Sequence, residues 1–521
     1  MGKRIVVLGH RVHETPAIDL PKNPVVARNR LNLYNYVRVL TPENTLVDHI
    51  SYLERLPMGQ GKGELSVWDI YLSAGLILTS MLRRDGHQVT LLNAFSVTGE
   101  EAKLAALAAT QPDIVAISTT FVLSQPQFIA LGHTVRAAFP NALLVAGGQH
   151  VYPNLMYMSE TERQQYAKDS QFDLLVNDSQ GEATLSRLCK VEDGDFSAVP
   201  NLVWNRKESG VVETRREPED NDLDAIDIDF SDVAPGSVVH LRSARSCTFK
   251  CAFCTYPSIA GDLALMSVDK VIANLKRAKA QGVGAIVFTD DTFNVPQDRF
   301  ENLLDRMIAE DACIPWYSFL RCQFITEALV EKMHRSGCQG VFLGIESGSD
   351  RILKNMKKGA VSKFYRDGIT WLKNNNIMTF GAFVIGFPGE TAETVAETRD
   401  FIETAGLDYY FMQPFFYMHH APIAKRAKEF GLTGNGLFWQ HNTMTWGQAM
   451  EQINTIFLEL KDPLFVNPDY NLWEIAYLRA KGFGIDEYRQ YRTTINAMTA
   501  DQMRVHNLAV SAVTGRDAVQ A

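Results

Sequence analysis

The sequence predicts an α/β protein: a doubly wound parallel sheet at the N-terminus, a second series of strand–helix units behind it, and a small, mainly helical C-terminal region. Three observations predict this. From Lys3 to about Gly181, short apolar runs alternate with stretches of helical period, the pattern of a parallel sheet covered on both faces. From Val238 to Gln413, six more apolar runs alternate with helical stretches in the same way. Beyond about Gly434 the helical period dominates to about Met503. A chain of 521 residues is too long for one core and suggests two to four domains. The expected divisions are 1–205, an acidic linker 206–236, 237–418 and 419–521.

Bulk composition narrows the function classes. With 46% apolar and 21% charged residues the chain has the make-up of a globular protein. A net charge of −9 and a pI near 5.8 supply no basic field, which argues against nucleic acid as the main partner. No run reaches the length of a membrane span, and Met1-Gly-Lys-Arg-Ile-Val-Val-Leu8 leads straight into a strand, so a cytoplasmic location is expected. Of seven cysteines, three share one loop; Cys189, Cys313, Cys322 and Cys338 are scattered and expected to be reduced.

The N-terminal elements follow in order. Lys3–Gly9 is a strand, Trp68–Arg84 a helix, and Asp85–Asn93 a turn feeding a second strand. A helix over Glu100–Ala109, a strand at Asp113–Ser118, a helix over Pro126–Ala138 and a strand at Ala142–Ala146 come next. Phe172–Val176 closes the series, and Gly181-Glu182 opens another helix. Ligands of such sheets bind beyond the carboxyl ends of the strands. Gly9, His10, Ser118, Thr119, Thr120, Gly147, Gly148, Gln149 and Asn177 stand at those ends, where glycines and hydroxyls let a flat ligand approach the backbone. Lys22–Leu65 has no clear period and contains Tyr34, Tyr36, Tyr52 and three prolines; it is an insertion covering a ligand or a surface excursion. Glu217–Asp232 is strongly acidic and is expected to be a solvated linker.

The second half is organised around Arg245-Ser-Cys247-Thr-Phe-Lys-Cys251-Ala-Phe253-Cys254-Thr-Tyr-Pro257, directly after the strand Val238–Leu241. A structural zinc site closes with four ligands, whereas three thiolates can hold three corners of a four-iron cluster and leave one iron open. A zinc loop missing a ligand, or reduced thiols clustered by chance, are the alternatives. The strands that follow are Ala285–Phe288, Trp316–Leu320, Gly340–Gly344, Thr379–Ile385 and Tyr409–Gln413. Polar residues fall just after them: Asp290 and Asp291, Arg321, Glu346 and Ser347, then the turn Gly386-Phe-Pro388-Gly-Glu390-Thr391.

The spacing Cys-x3-Cys-x2-Cys, with Phe253 before the last cysteine, resembles the radical S-adenosylmethionine (radical SAM) superfamily. The resemblance implies a partial (β/α)6 barrel, a [4Fe-4S] cluster on Cys247, Cys251 and Cys254, and S-adenosylmethionine as cofactor. It implies that Asp290 and Asp291 meet the methionine ammonium and that Arg321 meets its carboxylate or a substrate acid. Glu346 and Ser347 would lie at the ribose, and Gly386 and Pro388 at the adenine. The phrases Pro112–Ser118, Gly147-Gly148-Gln-His150 and Gly181-Glu182-Ala-Thr184 resemble the Rossmann-like cobalamin-binding domain found before many such modules. A nucleotide-binding or purely structural domain of this fold is the alternative. Asp85-Gly-His87 half matches a cobalt-ligating motif, but its place before the second strand favours turn chemistry. His10 and His13 are better placed, though neither completes the motif, so no protein histidine is expected below the cobalt.

Relatives of this kind generate a 5′-deoxyadenosyl radical and transfer a methyl group from methylcobalamin to a non-nucleophilic carbon or phosphorus centre; some instead cyclise or contract rings. Tyr417, His419, His420, Trp439 and His441 are the candidates for a substrate wall or general base. Trp439 and Trp446 have the alternative role of sealing the tail onto the barrel. The phrase Trp439-Gln-His-Asn-Thr-Met444 resembles the P-methylating members of phosphinate biosynthesis. The leading expectation is a cobalamin-dependent methyltransferase with a small-molecule substrate and an external flavodoxin- or ferredoxin-like electron donor. The alternatives are a cyclase or ring-rearranging enzyme of the same family, or a non-catalytic cobalamin and iron–sulfur sensor.

Overall fold

Of the 521 residues, the computed structural model describes 2–11, 36–41, 46–95, 101–467 and 471–514. Two units emerge. The first holds 2–11, 68–95, 101–244 and 259–283; the second holds 36–41, 46–67, 245–258, 284–467 and 471–514.

The first unit is built on β1 (Arg4–Arg11), α1 (Ser73–Arg84), β2 (Gln88–Phe95), α2 (Glu101–Ala109), β3 (Ile114–Ser118), α3 (Gln125–Ala138) and β4 (Leu143–Gly147). Then come α4 (Val151–Tyr157), α5 (Glu160–Asp169), β5 (Leu174–Val176) and α6 (Glu182–Cys189). The strands lie parallel in the order β2-β1-β3-β4-β5. Side-chain alternation explains both covered faces. Val6, Leu8, Val115, Ile117, Leu144 and Ala146 pack with Phe128, Leu131 and Val135 of α3. Ile5, Val7, Ile114, Ala116 and Val145 pack with Met81 and Leu82 of α1 and with Leu185 and Leu188 of α6. Two elements exceed the expectation: β6 (Leu202–Asn205) and β7 (Val211–Glu213) extend the sheet antiparallel beyond β5.

The acidic stretch is not a solvated linker. Ile228, Phe230 and Val233 are interleaved with its carboxylates and are buried, which ties it down. Asp229 and Asp232 pair with Arg83 at 2.7 and 2.9 Å, and Asp227 pairs with Lys270 at 2.8 Å. Glu219 accepts from the N–H groups of Ala183 and Thr184 at 2.9 and 2.7 Å, in the first turn of α6. The N-cap of that helix is Gly181, which has no side chain to do this. Glu219→Ala is therefore expected to cost the first unit about 1 kcal/mol, read as a lower urea midpoint. The unit also takes in β8 (Val238–Leu241), held by Tyr71 N–H to the Val238 carbonyl at 3.0 Å, and α7 (Val268–Ala280).

The second unit repeats the strand–helix theme with β9 (Ala285–Phe288), α8 (Gln297–Ala309), β10 (Trp316–Leu320), α9 (Glu327–Arg335) and β11 (Cys338–Glu346). It continues with α10 (Ser362–Asn374), β12 (Met378–Ile385), α11 (Ala392–Thr404) and β13 (Tyr409–Pro414). The strands run parallel in the order β9-β10-β11-β12-β13. The fully buried pattern of β12 reflects a strand covered on both faces.

The C-terminal region is less purely helical than its periodicity suggests. A small antiparallel sheet of β14 (Thr433–Asn435), β15 (Phe438–His441) and β16 (Met444–Thr445) precedes α12 (Trp446–Glu459). β17 (Leu464–Phe465) then pairs parallel to β13, followed by α13 (Asn471–Ala480) and α14 (Ile485–Thr514). The described part of Lys22–Leu65 packs here and is not a bare surface excursion: Tyr36, Val39, Ile50 and Leu53 are buried. Tyr36 lies against Phe457 and Phe465, and its hydroxyl donates to Asn454 at 2.8 Å. His13 and Tyr34 lie outside the described residues. Among the described residues no helix is long and apolar enough to cross a membrane.

Candidate functional site

In the first unit the order of the strands reverses between β1 and β3, and the crevice beyond their carboxyl ends is where such sheets bind ligands. Ser118 and Thr120 share a hydrogen bond at 2.9 Å, and Thr119 is turned inward, donating to the Gly147 carbonyl at 2.8 Å. Gly148 follows at φ +104°, a conformation that leaves its backbone bare. Gln149 is exposed, and the Asn177 N–H donates to the Asn201 carbonyl at 2.7 Å. Leu123, a few residues past β3, is 66% exposed. An exposed leucine, a pair of hydroxyls bonded to each other and a side-chain-free loop suit a large flat ligand with an apolar face and a polar rim. Gly9 has another explanation: a β-carbon there would collide with the main chain of Asn93 on β2. Nothing is described of the His10 side chain, and His87 is turn chemistry, its Nδ1 accepting from the Lys3 N–H at 3.1 Å.

Sequence reasoning missed His150. Its N–H donates to Thr119 Oγ1 at 3.3 Å, and its ring packs on Phe128. Burial pushes its pKa down to about 4, a hydrogen bond with Val122 opposing. It is a neutral core histidine beneath the crevice.

The second unit brings the cysteine loop to the carboxyl ends of β9, β10 and β11. Ala252 holds the loop in place: its N–H donates to the Met356 carbonyl and its carbonyl accepts from Ile423, both at 2.8 Å. Cys247, Cys251 and Cys254 are all free thiols. Cys247 Sγ lies 3.2 Å from the Thr292 hydroxyl, and Cys251 Sγ accepts from Arg321 Nη2 at 3.2 Å. Burial pushes the Cys254 thiol up to about 11, against a hydrogen bond with Tyr256, and Cys251, Asp291 and Cys247 add to the rise. Three soft ligands that crowd one another's charge, with polar partners on two of them, fit a polynuclear iron centre. Among the described residues no three histidine, cysteine or carboxylate groups gather as for a single metal ion.

Around this loop the expected residues have distinct fates. Asp290 is buried and Asp291 exposed. Glu346 sits at φ +69° where β11 bulges, and its carboxylate accepts from Lys358 Nζ at 2.8 Å, both side chains nearly buried. The ammonium of Lys358 also faces the ring of Phe253 at 5.8 Å, and that ring meets Phe387 edge-on. Ser347 points away into α11, hydrogen-bonded to Thr398 at 3.1 Å. The Pro388 carbonyl accepts from Asn355 at 3.3 Å. Thr292, Asn294, Phe249 and Lys358 were not singled out by the sequence, because each acts on a residue distant in the chain.

Gly386 turns at φ +91° beneath Trp439, whose ring a β-carbon would strike. Trp439 is buried, donates to the Phe415 carbonyl at 2.6 Å and stacks on His441. His441 Nε2 faces the Gly386 carbonyl at 3.2 Å and Nδ1 faces the Thr443 hydroxyl at 3.1 Å, so both ring nitrogens are engaged. These two brace the turn, and the structure does not place them on an open substrate wall. Tyr417 is buried against Gly436, with His419 beside its ring, whereas His419 and His420 are exposed.

Glu390 closes the same turn. It is fully buried, accepts from the Gly386 N–H, and has one oxygen without a partner. Burial pushes its pKa up to about 8, against hydrogen bonds from Gly386 and Phe387, so it holds a proton at neutral pH. The folded state therefore binds an extra proton between the ordinary carboxyl range and pH 8. The associated stability is full below that range and is lost as pH rises through about 8. Glu390→Gln should cancel this slope. Relative to the parent, the variant is expected to gain up to about 1.4 kcal/mol per pH unit over the window, measured from urea midpoints at pH 5, 6.5 and 8.

Comparison with known proteins matches residues 241–402 to the Radical SAM superfamily. The chain is 28% identical over 351 residues to an uncharacterized methyltransferase of Pyrococcus horikoshii, covering 64% of this chain and 74% of that one. It is 25% identical over 279 residues to the anaerobic magnesium-protoporphyrin IX monomethyl ester cyclase of Rubrivivax gelatinosus, covering 50% of this chain and 48% of the cyclase. Among solved structures, the radical S-adenosylmethionine methyltransferase TsrM of Kitasatospora setae, with cobalamin and a [4Fe-4S] cluster bound, superposes with a TM-score of 0.63 at 13% identity. That match covers 98% of this chain and all of TsrM. The thiol loop and the βα units behind it lie within the stretch 241–402 that matches the Radical SAM superfamily, and the chain shares the fold of TsrM.

Proposed function

We propose that this chain is a cobalamin-dependent radical SAM methyltransferase that methylates a non-nucleophilic carbon or phosphorus centre of a small molecule. The observation that carries the reading is the convergence of Cys247, Cys251 and Cys254 with Thr292 and Arg321 at the strand ends. Two features support it: the crevice of the first unit, with its strand-end hydroxyls and the exposed Leu123, and a likeness to TsrM that runs over nearly the whole chain. TsrM has also been solved with tryptophan and a SAM analogue, which supports a small-molecule substrate.

Bound together, cluster, S-adenosylmethionine and cobalamin supply radical initiation and a transferable methyl group. The protein's share is positioning. The three thiolates hold the cluster, and Asp290 and Asp291 lie where an ammonium is received. Glu346, fixed by Lys358, offers its second oxygen to hydroxyl groups. Gly386, its turn braced by Trp439 and Glu390, shapes the adenine side of the site. Ser118, Thr120, Gly148 and Gln149 hold the corrinoid, and residues 419–521 provide the substrate side.

The test is anaerobic incubation of reconstituted protein with S-adenosylmethionine, methylcobalamin and dithionite, with aromatic amino acids and alkylphosphinates as candidate substrates. A methylated product with S-adenosylhomocysteine is expected. A rearranged, unmethylated product with 5′-deoxyadenosine would instead assign a cyclase. Absence of both S-adenosylhomocysteine and 5′-deoxyadenosine with every substrate would leave only a cofactor-binding sensor.

A further inference from the structure

We propose that Arg321 sets the reduction potential of the cluster through Cys251; this rests on the reading that the three thiols hold an iron–sulfur cluster. The resemblance implied a different partner for Arg321, the methionine carboxylate or a substrate acid. In the structure each terminal nitrogen is already engaged: Nη2 donates to Cys251 Sγ at 3.2 Å and Nη1 to the Lys358 carbonyl at 2.9 Å. The guanidinium lies over the ring of Phe249, 3.6 Å from its centre. Its main chain is clamped by Asn294, which accepts from the Arg321 N–H at 3.0 Å and donates to the Arg321 carbonyl at 2.8 Å. The residue is 7% exposed, so this cation has no easy route elsewhere.

Lys358, whose carbonyl holds Arg321, is itself neutralised by Glu346 at 2.8 Å. Among the described residues no carboxylate pairs with Arg321, and a buried guanidinium without an anion is costly. The one group in its hydrogen-bonding reach that can carry negative charge is the Cys251 thiolate. When the oxidised cluster takes one electron, and no proton, from a one-electron donor, the cluster gains one negative charge. A fixed cation and an N–H on a cluster sulfur stabilise the reduced form more than the oxidised form, and so raise the potential. The Thr292 hydroxyl, 3.2 Å from Cys247 Sγ, acts in the same direction with no net charge and hence more weakly.

The experiment is a redox titration of the anaerobically reconstituted full-length chain, with dithionite as the one-electron donor and the reduced cluster followed by electron paramagnetic resonance. Arg321→Met is expected to lower the reduced-to-oxidised ratio at a fixed potential about tenfold, a shift of roughly 59 mV to more negative values for one electron. Arg321→Lys keeps the charge but not the fork and should fall between. Phe249→Leu, which removes the platform and spares the arginine, should shift the midpoint less and in the same direction, and it keeps the test open where Arg321→Met does not fold. Unchanged midpoints in all variants, at iron and sulfide contents equal to the parent, overturn the assignment. If those variants also lose S-adenosylmethionine in equilibrium dialysis, Arg321 is a carboxylate ligand instead. A parent protein that takes up no iron overturns the three-thiol reading itself, and does so before any variant is made.

Discussion

Replacing Cys251 with alanine is expected to abolish the visible iron–sulfur absorbance of the anaerobically reconstituted chain while leaving its corrinoid content unchanged. Three thiolates are the minimum that keeps an open-cornered cluster attached, and two leave a second iron without protein. The substitution is small and the loop should survive it. Ala252, the next residue, keeps its hydrogen bonds to Met356 and Ile423, so the main chain stays where it is. The proposed corrinoid residues Ser118, Thr120, Gly148 and Gln149 belong to the first unit, whereas Cys251 belongs to the second. The check is iron, sulfide and cobalt analysis of the same preparation with an absorbance spectrum. Loss of cobalt with retention of iron would contradict both assignments at once.

Glu474→Gln is expected to destabilise the second unit by about 3–5 kcal/mol. Glu474 and Arg492 form an ion pair at 3.4 Å, their side chains 1% and 0% exposed. Tyr488 donates to the same carboxylate oxygen at 3.0 Å, and Arg492 also reaches the Phe465 carbonyl at 3.1 Å. Arg492 faces His49 Nδ1 at 3.3 Å, and burial together with that cation holds the histidine well below its ordinary pKa, as a neutral acceptor. Removing the carboxylate's charge leaves the guanidinium buried without an anion, and that uncompensated charge is what makes the effect large. A differential scan should show the transition of this unit lowered by roughly 10 °C. Glu474→Leu combined with Arg492→Met should be much milder than Glu474→Gln, because no charge is then stranded. A loss below about 1 kcal/mol in the single variant would mean that water reaches the cation.

The two regions of the chain were legible to different depths. Strands β9 and β10 begin and end where their apolar runs do, because a strand buried on both faces is an unbroken hydrophobic word between turn residues. β6 and β7 were not legible: short antiparallel strands carry little periodicity, and their pairing partners are set by the sheet they join. The acidic segment misled for a related reason. Its charge count reads as solvent-exposed, but the spacing of Ile228, Phe230 and Val233 and the basic residues opposite only matter once the helices stand beside it.

By itself the sequence determined the chemistry of the loop: the thiol spacing, the glycines and hydroxyls at strand ends, and the order of polar residues after successive strands are local facts. Only the tertiary structure decided what each polar residue answers to. Arg321 meets Cys251 across 70 positions, and His441 meets Gly386 across 55. The physical reason is that a buried charge or hydrogen-bond donor must be satisfied by whatever the fold brings within about 3 Å of it, and composition and period carry no record of that neighbour.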